Sequence, residues 1–523
     1  MLKSSGAMAA ATLFSRVLGM VREIAYMAFM NVGWVNDAFQ YAFTIPNLFR
    51  RLLGEGALTA AFIPIFKEKE KVHGEIEMWR AANAVISGLV IAAAVIIAVA
   101  MFGISLALDF HHFTGKTELM LRLLQVMFPY MLLVCLAAAF MGMLNARGHF
   151  FIPAMGATML NIVMIASVFW LAPKFGTGLP QEQKLPAQVF ALAYGVLAAG
   201  VAQAVFQLPT LWQDGFRYRW VSPWKNETVR LVMTRMIPGT IGVAAFQINV
   251  ALVQLVAFFI GTGIVSSFNG AVRLMELPQG IFGVSLATYL LPTLAGLATD
   301  KKYPEFRATL RHGLSTLIFL NLIAAALLVT LAEPIVRLLF EHGKFTSAST
   351  FRVAYALVCL APGLVMFSTV NILARAFYAL GDTRTPMKIS IVCLVINFAV
   401  AIMLLVISPL REGGLGVANT LTSCINMGLL IFALRKKLGK LEMESLRKTF
   451  APLAFAGIIA GIVAWFGWQF WENKIGHETI ALKIGAVFVP AIGAGLIYGI
   501  LALAFKIPAA KEMLEFALAK FKR

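Results

Sequence analysis

Arg16, Arg22, Arg50, Arg51 and Arg273 lie inside apolar stretches of this 523-residue chain, where a guanidinium is expensive. Three have a carboxylate close by in sequence, Glu23 after Arg22, Glu55 after Arg51 and Glu276 after Arg273, and Asp37 lies on the same predicted span as Arg50. Arginine's planar fork suits phosphate and carboxylate, so a basic cleft lined by these residues selects anions. Neutral amides accompany them. Asn161, Gln247, Asn249, Gln254 and Asn397 are read first as interhelical hydrogen-bond formers. No HExxH, P-loop, nucleophile motif or acidic metal cluster is present, so the residues offer binding rather than catalysis. Cys135, Cys359, Cys393 and Cys424 all sit in apolar runs and read as packing residues.

The elements that must hold these residues are membrane helices. The chain is 60% hydrophobic and only 13% charged, about half the usual charged share. Mean hydropathy is +0.82. An ordinary soluble enzyme, a disordered chain and a fibrous one are excluded. Apolar runs of about 20 residues predict an all-α integral membrane fold of fourteen spans. No cleavable signal sequence precedes the first span, which is expected to be retained.

The net charge of +19 comes from 44 Lys+Arg against 25 Asp+Glu. Loops on one side of the predicted spans hold 27 Lys+Arg and loops on the other about 7. The basic side faces the cytoplasm, which predicts cytoplasmic N- and C-termini. Most of the net charge is therefore topological, and no nucleic-acid partner is implied. The tail over 506–523 alternates lysines with Met513, Leu514, Phe516, Leu518 and Phe521. It reads as an interfacial amphipathic helix.

The chain also repeats itself. Pro129, Gly148 and Pro153 match Pro362, Gly381 and Pro386 at a spacing of 233. Ala57–Pro64 matches Ser285–Pro292 at 228. Two copies of one six-helix unit are predicted, parallel and related by a pseudo-two-fold axis along the membrane normal. The expected divisions are an N-lobe over 1–209, a cytoplasmic linker over 210–230, a C-lobe over 231–434, two further helices over 450–505, and the tail. Two parallel lobes imply a central cleft and alternating access.

On the first span, Ser5, Thr12, Ser15, Arg16, Gly19, Arg22, Glu23 and Tyr26 fall within an arc of about 120° at 100° per residue. Such a stripe inside a membrane protein faces a water-filled cavity or a paired network, the cavity being favoured here because one carboxylate cannot neutralise two arginines. The second span is interrupted by Pro46 and by Gly54 and Gly56, and its repeat partner carries Pro278 and Gly280. Arg273 and Glu276 are spaced to pair at i,i+3. Arg50 and Arg51 face about 100° apart on a helix, so at most one points fully into the cleft.

Phe14-Ser-Arg16-Val-Leu-Gly19, Asn36-Asp37-Ala-Phe39, Pro46-Asn-Leu-Phe-Arg50-Arg51, Glu55-Gly56-Ala, Phe62-Ile-Pro64 and Arg273-Leu-Met-Glu276-Leu-Pro278 resemble the bacterial lipid II flippase family, MurJ or MviN. The resemblance covers essentially the whole chain. It implies the two-lobed fold shared with multidrug and polysaccharide exporters, and a location in the bacterial inner membrane. The implied substrate is lipid II, the undecaprenyl-pyrophosphate-linked MurNAc-pentapeptide-GlcNAc, moved from the cytoplasmic to the periplasmic leaflet for cell-wall synthesis. The family's cavity arginines carry over to Arg16, Arg22, Arg50 and Arg273, and its acidic positions to Asp37 and Glu55. The last two helices are implied to form a groove for the lipid tail. Some members bind sodium through an aspartate in the seventh span and Asn/Asp in the eleventh, where this chain offers Asn249 with no aspartate and Asn397 with no following aspartate, as weak sodium-site candidates. Coupling to the membrane potential or to a monovalent cation is the expected drive, with no resident cofactor. Cell-wall synthesis or division proteins are candidate partners. The alternatives are a flippase for another polyprenyl-linked glycan, a membrane enzyme acting on a polyprenyl pyrophosphate, and a non-transporting scaffold.

Overall fold

The computed structural model describes the chain except residues 1, 50–51, 53–57, 114, 225, 408, 440, 442–443 and 522–523, and except the side chains of 2–13, 58–61, 237–243, 445–447, 516–517 and 519–521. Arg50, Arg51 and Glu55 therefore lie outside the described residues. Among the described residues the structure is helical, with no strand.

Two compact units divide the chain, residues 1–265 and 266–523. The first holds α1 (Leu2–Met30), α2 (Trp34–Phe49), α3 (Leu58–Phe110), α4 (Lys116–Met127), α5 (Tyr130–Arg147), α6 (Phe151–Ala166), α7 (Gln181–Val205), α8 (Leu208–Gln213) and α9 (Glu227–Ile260). α10 (Ile264–Pro278) opens the second unit. It is followed by α11 (Ser285–Thr299), α12 (Tyr303–Thr330), α13 (Ala332–Phe340), α14 (Ser347–Leu360), α15 (Gly363–Ala379), α16 (Arg384–Val406), α17 (Arg411–Leu438), α18 (Glu444–Lys474), α19 (Ile480–Ala504) and α20 (Pro508–Phe521).

Among the described residues, ten helices are long and apolar enough to cross a membrane, or eleven if the bent pair α14 and α15 makes one span. The expected count of fourteen is not confirmed. The described parts of α1 and α9 and the short α2 are not among the ten, and α3 joins the end of one expected span to the whole of the next. Its 53 residues would measure about 80 Å as one rod, far beyond a hydrocarbon core of about 30 Å. Gly74, at φ 82° and ψ 176°, breaks that rod in two.

The repeat is visible in the backbone. Pro129 caps α5 and Pro362 caps α15. Each helix then ends on a left-handed glycine, Gly148 at φ 91° and Gly381 at φ 73°. The closing hydrogen bonds are the same: Gly148 N to Asn145 O and His149 N to Leu144 O, against Gly381 N to Tyr378 O and Asp382 N to Phe377 O. Only glycine takes this conformation without steric cost, which explains the recurrence. The residue after each glycine ties the loop to a distant helix end, with the polarity exchanged. His149 meets Asp214 after α8, whereas Asp382 accepts from Lys437 at the end of α17.

In the first unit α1 packs on α6, α3 on α5 and α9, and α2 on α4. A buried cluster of Phe62, Phe66, Met78, Phe140, Leu211 and Phe216 fills the α3–α5 seam. In the second unit α17 lies against α14, α15 and α16. The α18–α19 pair packs on α12, where the Tyr498 hydroxyl donates to Phe319 O at 2.9 Å.

A charge cluster pins the turn of this pair. The buried Arg337 of α13 donates to Glu472 of α18 at 3.0 Å and to Glu333, and lies 3.7 Å from Glu341. His477 also contacts Glu472. Removing the guanidinium leaves three carboxylates facing one another, a loss of about 3–5 kcal/mol for a buried partner. Arg337→Met should lower the thermal midpoint of the purified protein by about 3–5 °C.

The Asp382 tie makes a second prediction. A hydrogen bond from the Lys437 ammonium, then one from the Thr385 amide, hold the Asp382 carboxyl well below the usual carboxylate range. A depressed folded-state pKa contributes stability above the unfolded value and loses it as pH falls. Asp382→Asn should therefore melt about 2–4 °C below the parent at pH 7. The gap should close as pH drops below about 4, the unfolded carboxylate value.

Candidate functional site

α1 is sorted by its own sequence into two faces. Phe14, Val17 and Val21 are exposed on the outer face of the unit, as apolar residues in contact with lipid would be. On the opposite side Gly19 and the polar stripe meet α6. There the buried Arg22 donates from Nη1 to Asn161 Oδ1 at 3.0 Å. The same asparagine donates from Nδ2 to the Ser15 carbonyl at 3.1 Å. One amide thus fixes both the α1 backbone and the α1 guanidinium. The Tyr26 ring lies 5.5 Å from the Arg22 guanidinium carbon, one turn further along. Arg22 Nε is buried without a hydrogen-bond partner, so the site holds a donor in reserve.

The polar stripe is not open along its whole length. Arg16 is exposed, whereas Arg22, Glu23 and Tyr26 are buried. The packing of α1 on α6 explains the difference, since Asn161 reaches the second arginine and not the first.

Asp37 has a different setting from the one expected of a cavity carboxylate. It is fully buried at the start of α2. Lys116 Nζ lies 3.2 Å from its carboxylate, and the Gly263 amide donates to the same oxygen. That lysine also donates to Phe258 O at 2.6 Å and Gly261 O at 2.8 Å, and sits 4.1 Å above the Phe258 ring. It therefore caps the exposed carbonyls at the end of α9 while neutralising Asp37. The cluster locks α2, α4 and α9 together. Sequence reasoning missed Lys116, a lone loop lysine whose partners lie far along the chain.

α9 is further tied to α2 by Thr44 Oγ1, 3.1 Å from Gln254 Oε1. Gln247 is buried and Asn249 half-buried on the same helix. In the second unit, Arg273 and Glu276 form the expected i,i+3 pair at 2.8 Å, both half-exposed. The Pro278–Gly280 segment does not interrupt its helix. A π-helical turn over Gln279–Val284 carries the chain from α10 into α11. Pro278 and Gly280 are thus accommodated by widening the turn rather than by breaking it.

Asn397 is buried in the α16–α17 seam. It donates from Nδ2 to Asn419 Oδ1 at 3.2 Å and to Thr422 Oγ1 at 3.3 Å. An amide nitrogen aimed at these two oxygens is the wrong donor for a cation, and neither Asn249 nor Asn397 supplies negative charge. These two amides alone do not fit a sodium site. A small crevice in the second unit, lined by Arg307, Leu310, Leu314, Leu373 and Leu434, contains none of the residues discussed above.

The described arginines thus sit in two settings, Arg22 held by Asn161 and Arg273 paired with Glu276. The sequence profile of the lipid II flippase MurJ family matches residues 26–487. A probable lipid II flippase MurJ of Vibrio cholerae is 34% identical over 484 residues, covering 89% of each chain. The lipid II flippase MurJ of Burkholderia cenocepacia is 33% identical over 502 residues, covering 94% of this chain and 95% of the relative. Among solved structures, a lipid II flippase MurJ in an inward closed conformation superposes with a TM-score of 0.77 at 22% identity, over 95% of this chain and 98% of that one. An inward-facing multidrug transporter of the MATE family superposes at 0.65 and 13% identity, over 83% of this chain and 98% of that one. The all-helical fold is therefore that of this transporter group, and the chain belongs to the lipid II flippase MurJ family.

Proposed function

We propose that the chain carries lipid II from the cytoplasmic to the outer leaflet of the bacterial inner membrane by alternating access. The observation that carries this reading is the family match across most of the chain. Its chemical support is Arg22, a guanidinium kept inside a spanning helix bundle by Asn161 and the Tyr26 ring. A cation in that position costs several kcal/mol, and a pyrophosphate repays the cost through charge-assisted hydrogen bonds. Arg16, Arg22, Arg50, Arg51 and Arg273 are the groups assigned to the pyrophosphate and the peptide carboxylates. Glu23, Glu55 and Glu276 moderate their charge. Asn249 is kept as a polar neighbour, and Asp37 acts through the Lys116 lock.

The C55 tail stays in lipid or in a lateral groove of α18 and α19, because a polar cavity would reject it. Headgroup binding favours the conformation that brings the arginines closest to the phosphates, and release follows in the opposite one. The membrane potential is the drive assigned here, since the asparagines make a poor cation site. The positive-inside distribution puts both termini in the cytoplasm.

Arg22→Ala and Arg273→Ala should each fail to rescue growth of a bacterium depleted of its lipid II flippase, at parental membrane levels. Rescue by both would overturn the assignment. Asn161→Ala removes one charge-assisted hydrogen bond from Arg22 and should slow lipid II export about tenfold. The orientation has its own test. A green fluorescent protein fused after Arg523 should fluoresce and an alkaline phosphatase fused there should be inactive. The reverse pattern would place the C-terminus outside.

A further inference from the structure

Between α8 and α9 the chain makes neither a helix nor a free loop. Phe216 is buried against Trp79 and Phe140, with ring centroids 5.5 and 6.1 Å away. Asn83 Nδ2 then donates to the Arg217 carbonyl at 3.0 Å, and Ser87 Oγ lies 3.2 Å from the Tyr218 hydroxyl. Gly88 leaves room for Pro223, whose Cβ would lie 3.3 Å from an added Cβ. Residues 79, 83 and 87 are successive turns on one face of α3. A non-helical strap, 216–224, is therefore held along about 12 Å of that face.

The level of the strap follows from α3 itself. Charged residues fill 67–80, ending at Arg80, and the apolar run begins at Ala81. The strap thus starts beside the last charge and ends two turns beyond it, crossing the headgroup layer, about 6 Å thick on each side of the hydrocarbon, to reach the acyl boundary. Its outward side chains match that layer. Tyr218, Trp220 and Trp224 are 50%, 61% and 72% exposed. Exposed Tyr and Trp in such numbers belong at a membrane interface. Arg217 and Arg219, on either side of Tyr218, are exposed, and no acidic residue occurs from Gly215 to Asn226. Among the described residues, the peptide groups of 218–222 take no hydrogen bond from the protein, so they need polar partners outside it.

We propose that this strap is a seat for acidic phospholipid headgroups, with Trp220 and Trp224 anchored at the acyl boundary and Arg219, assisted by Arg217, binding the phosphate. The occupant is an acidic lipid rather than a protein, because the strap lies at headgroup depth and pairs interfacial aromatics with uncompensated cations. Arg217 holds its own backbone, donating to Trp212 O and Phe216 O at 2.9 and 2.8 Å, which leaves Arg219 as the principal contact. The seat is separate from the arginines assigned to lipid II.

The test places an NBD fluorophore on Ser222→Cys, with the four native cysteines replaced by alanine, in nanodiscs of phosphatidylcholine. Doxyl-labelled phosphatidylglycerol and doxyl-labelled phosphatidylcholine are then added at equal mole fraction. Quenching by the acidic lipid should exceed that by the zwitterionic one by about twofold or more. Arg217→Gln with Arg219→Gln should bring the two to parity. Parity in the parent would overturn the proposal, as would quenching by a water-soluble nitroxide without quenching by either lipid. A preference that survives the double substitution would overturn the assignment to these two arginines.

Discussion

A guanidinium buried in a membrane-spanning bundle must be held by polar partners, and Arg22 meets that demand through a single amide. Asn161 accepts from Arg22 and donates to the Ser15 carbonyl, so α6 fixes where the charge sits on α1. The requirement propagates outward. α1 needs one face of small and polar residues toward α6 and one apolar face toward lipid, and its sequence supplies both. It also separates the two arginines of the stripe. Arg16 stays open, while Arg22 is gripped with one nitrogen still unsatisfied. In the function proposed above, an anion would satisfy a donor that the protein alone leaves wanting.

The same physics divides the remaining charges by task. Arg337 and Asp37 are surrounded by fixed partners and hold helices together. Lys116 is the clearest case. Its ammonium serves a carboxylate, two helix-end carbonyls and an aromatic ring at once, which leaves little capacity for a ligand. The Arg273–Glu276 pair is half-exposed and held by a one-turn spacing on its own helix. It can therefore exchange partners at a lower cost than a buried pair.

Local and periodic features were legible in the sequence. The apolar runs gave the membrane helices, the spacing of 233 gave the repeated proline and glycine caps, and the i,i+3 spacing gave Arg273–Glu276. What was hidden depends on packing between distant segments. Asn161 lies 139 residues from Arg22, and Gly263 lies 226 from Asp37. No local pattern marks either contact. The span count of fourteen is not confirmed among the described residues, for a related reason. Whether α2 crosses alone or with the start of α3 depends on kinks such as Gly74, which hydropathy does not register. Pro278 misled in the opposite direction, since a π turn absorbs the proline that local rules read as a break.

The most direct measurement of the central claim is native mass spectrometry of lipid II bound to the purified protein, comparing the parent with Arg22→Ala. The parent should retain lipid II and release it to competing undecaprenyl pyrophosphate, which shares the pyrophosphate but lacks the sugar and peptide. Arg22→Ala should lose most of that binding while keeping the parental melting profile. Equal retention of lipid II by the parent and Arg22→Ala would contradict the account.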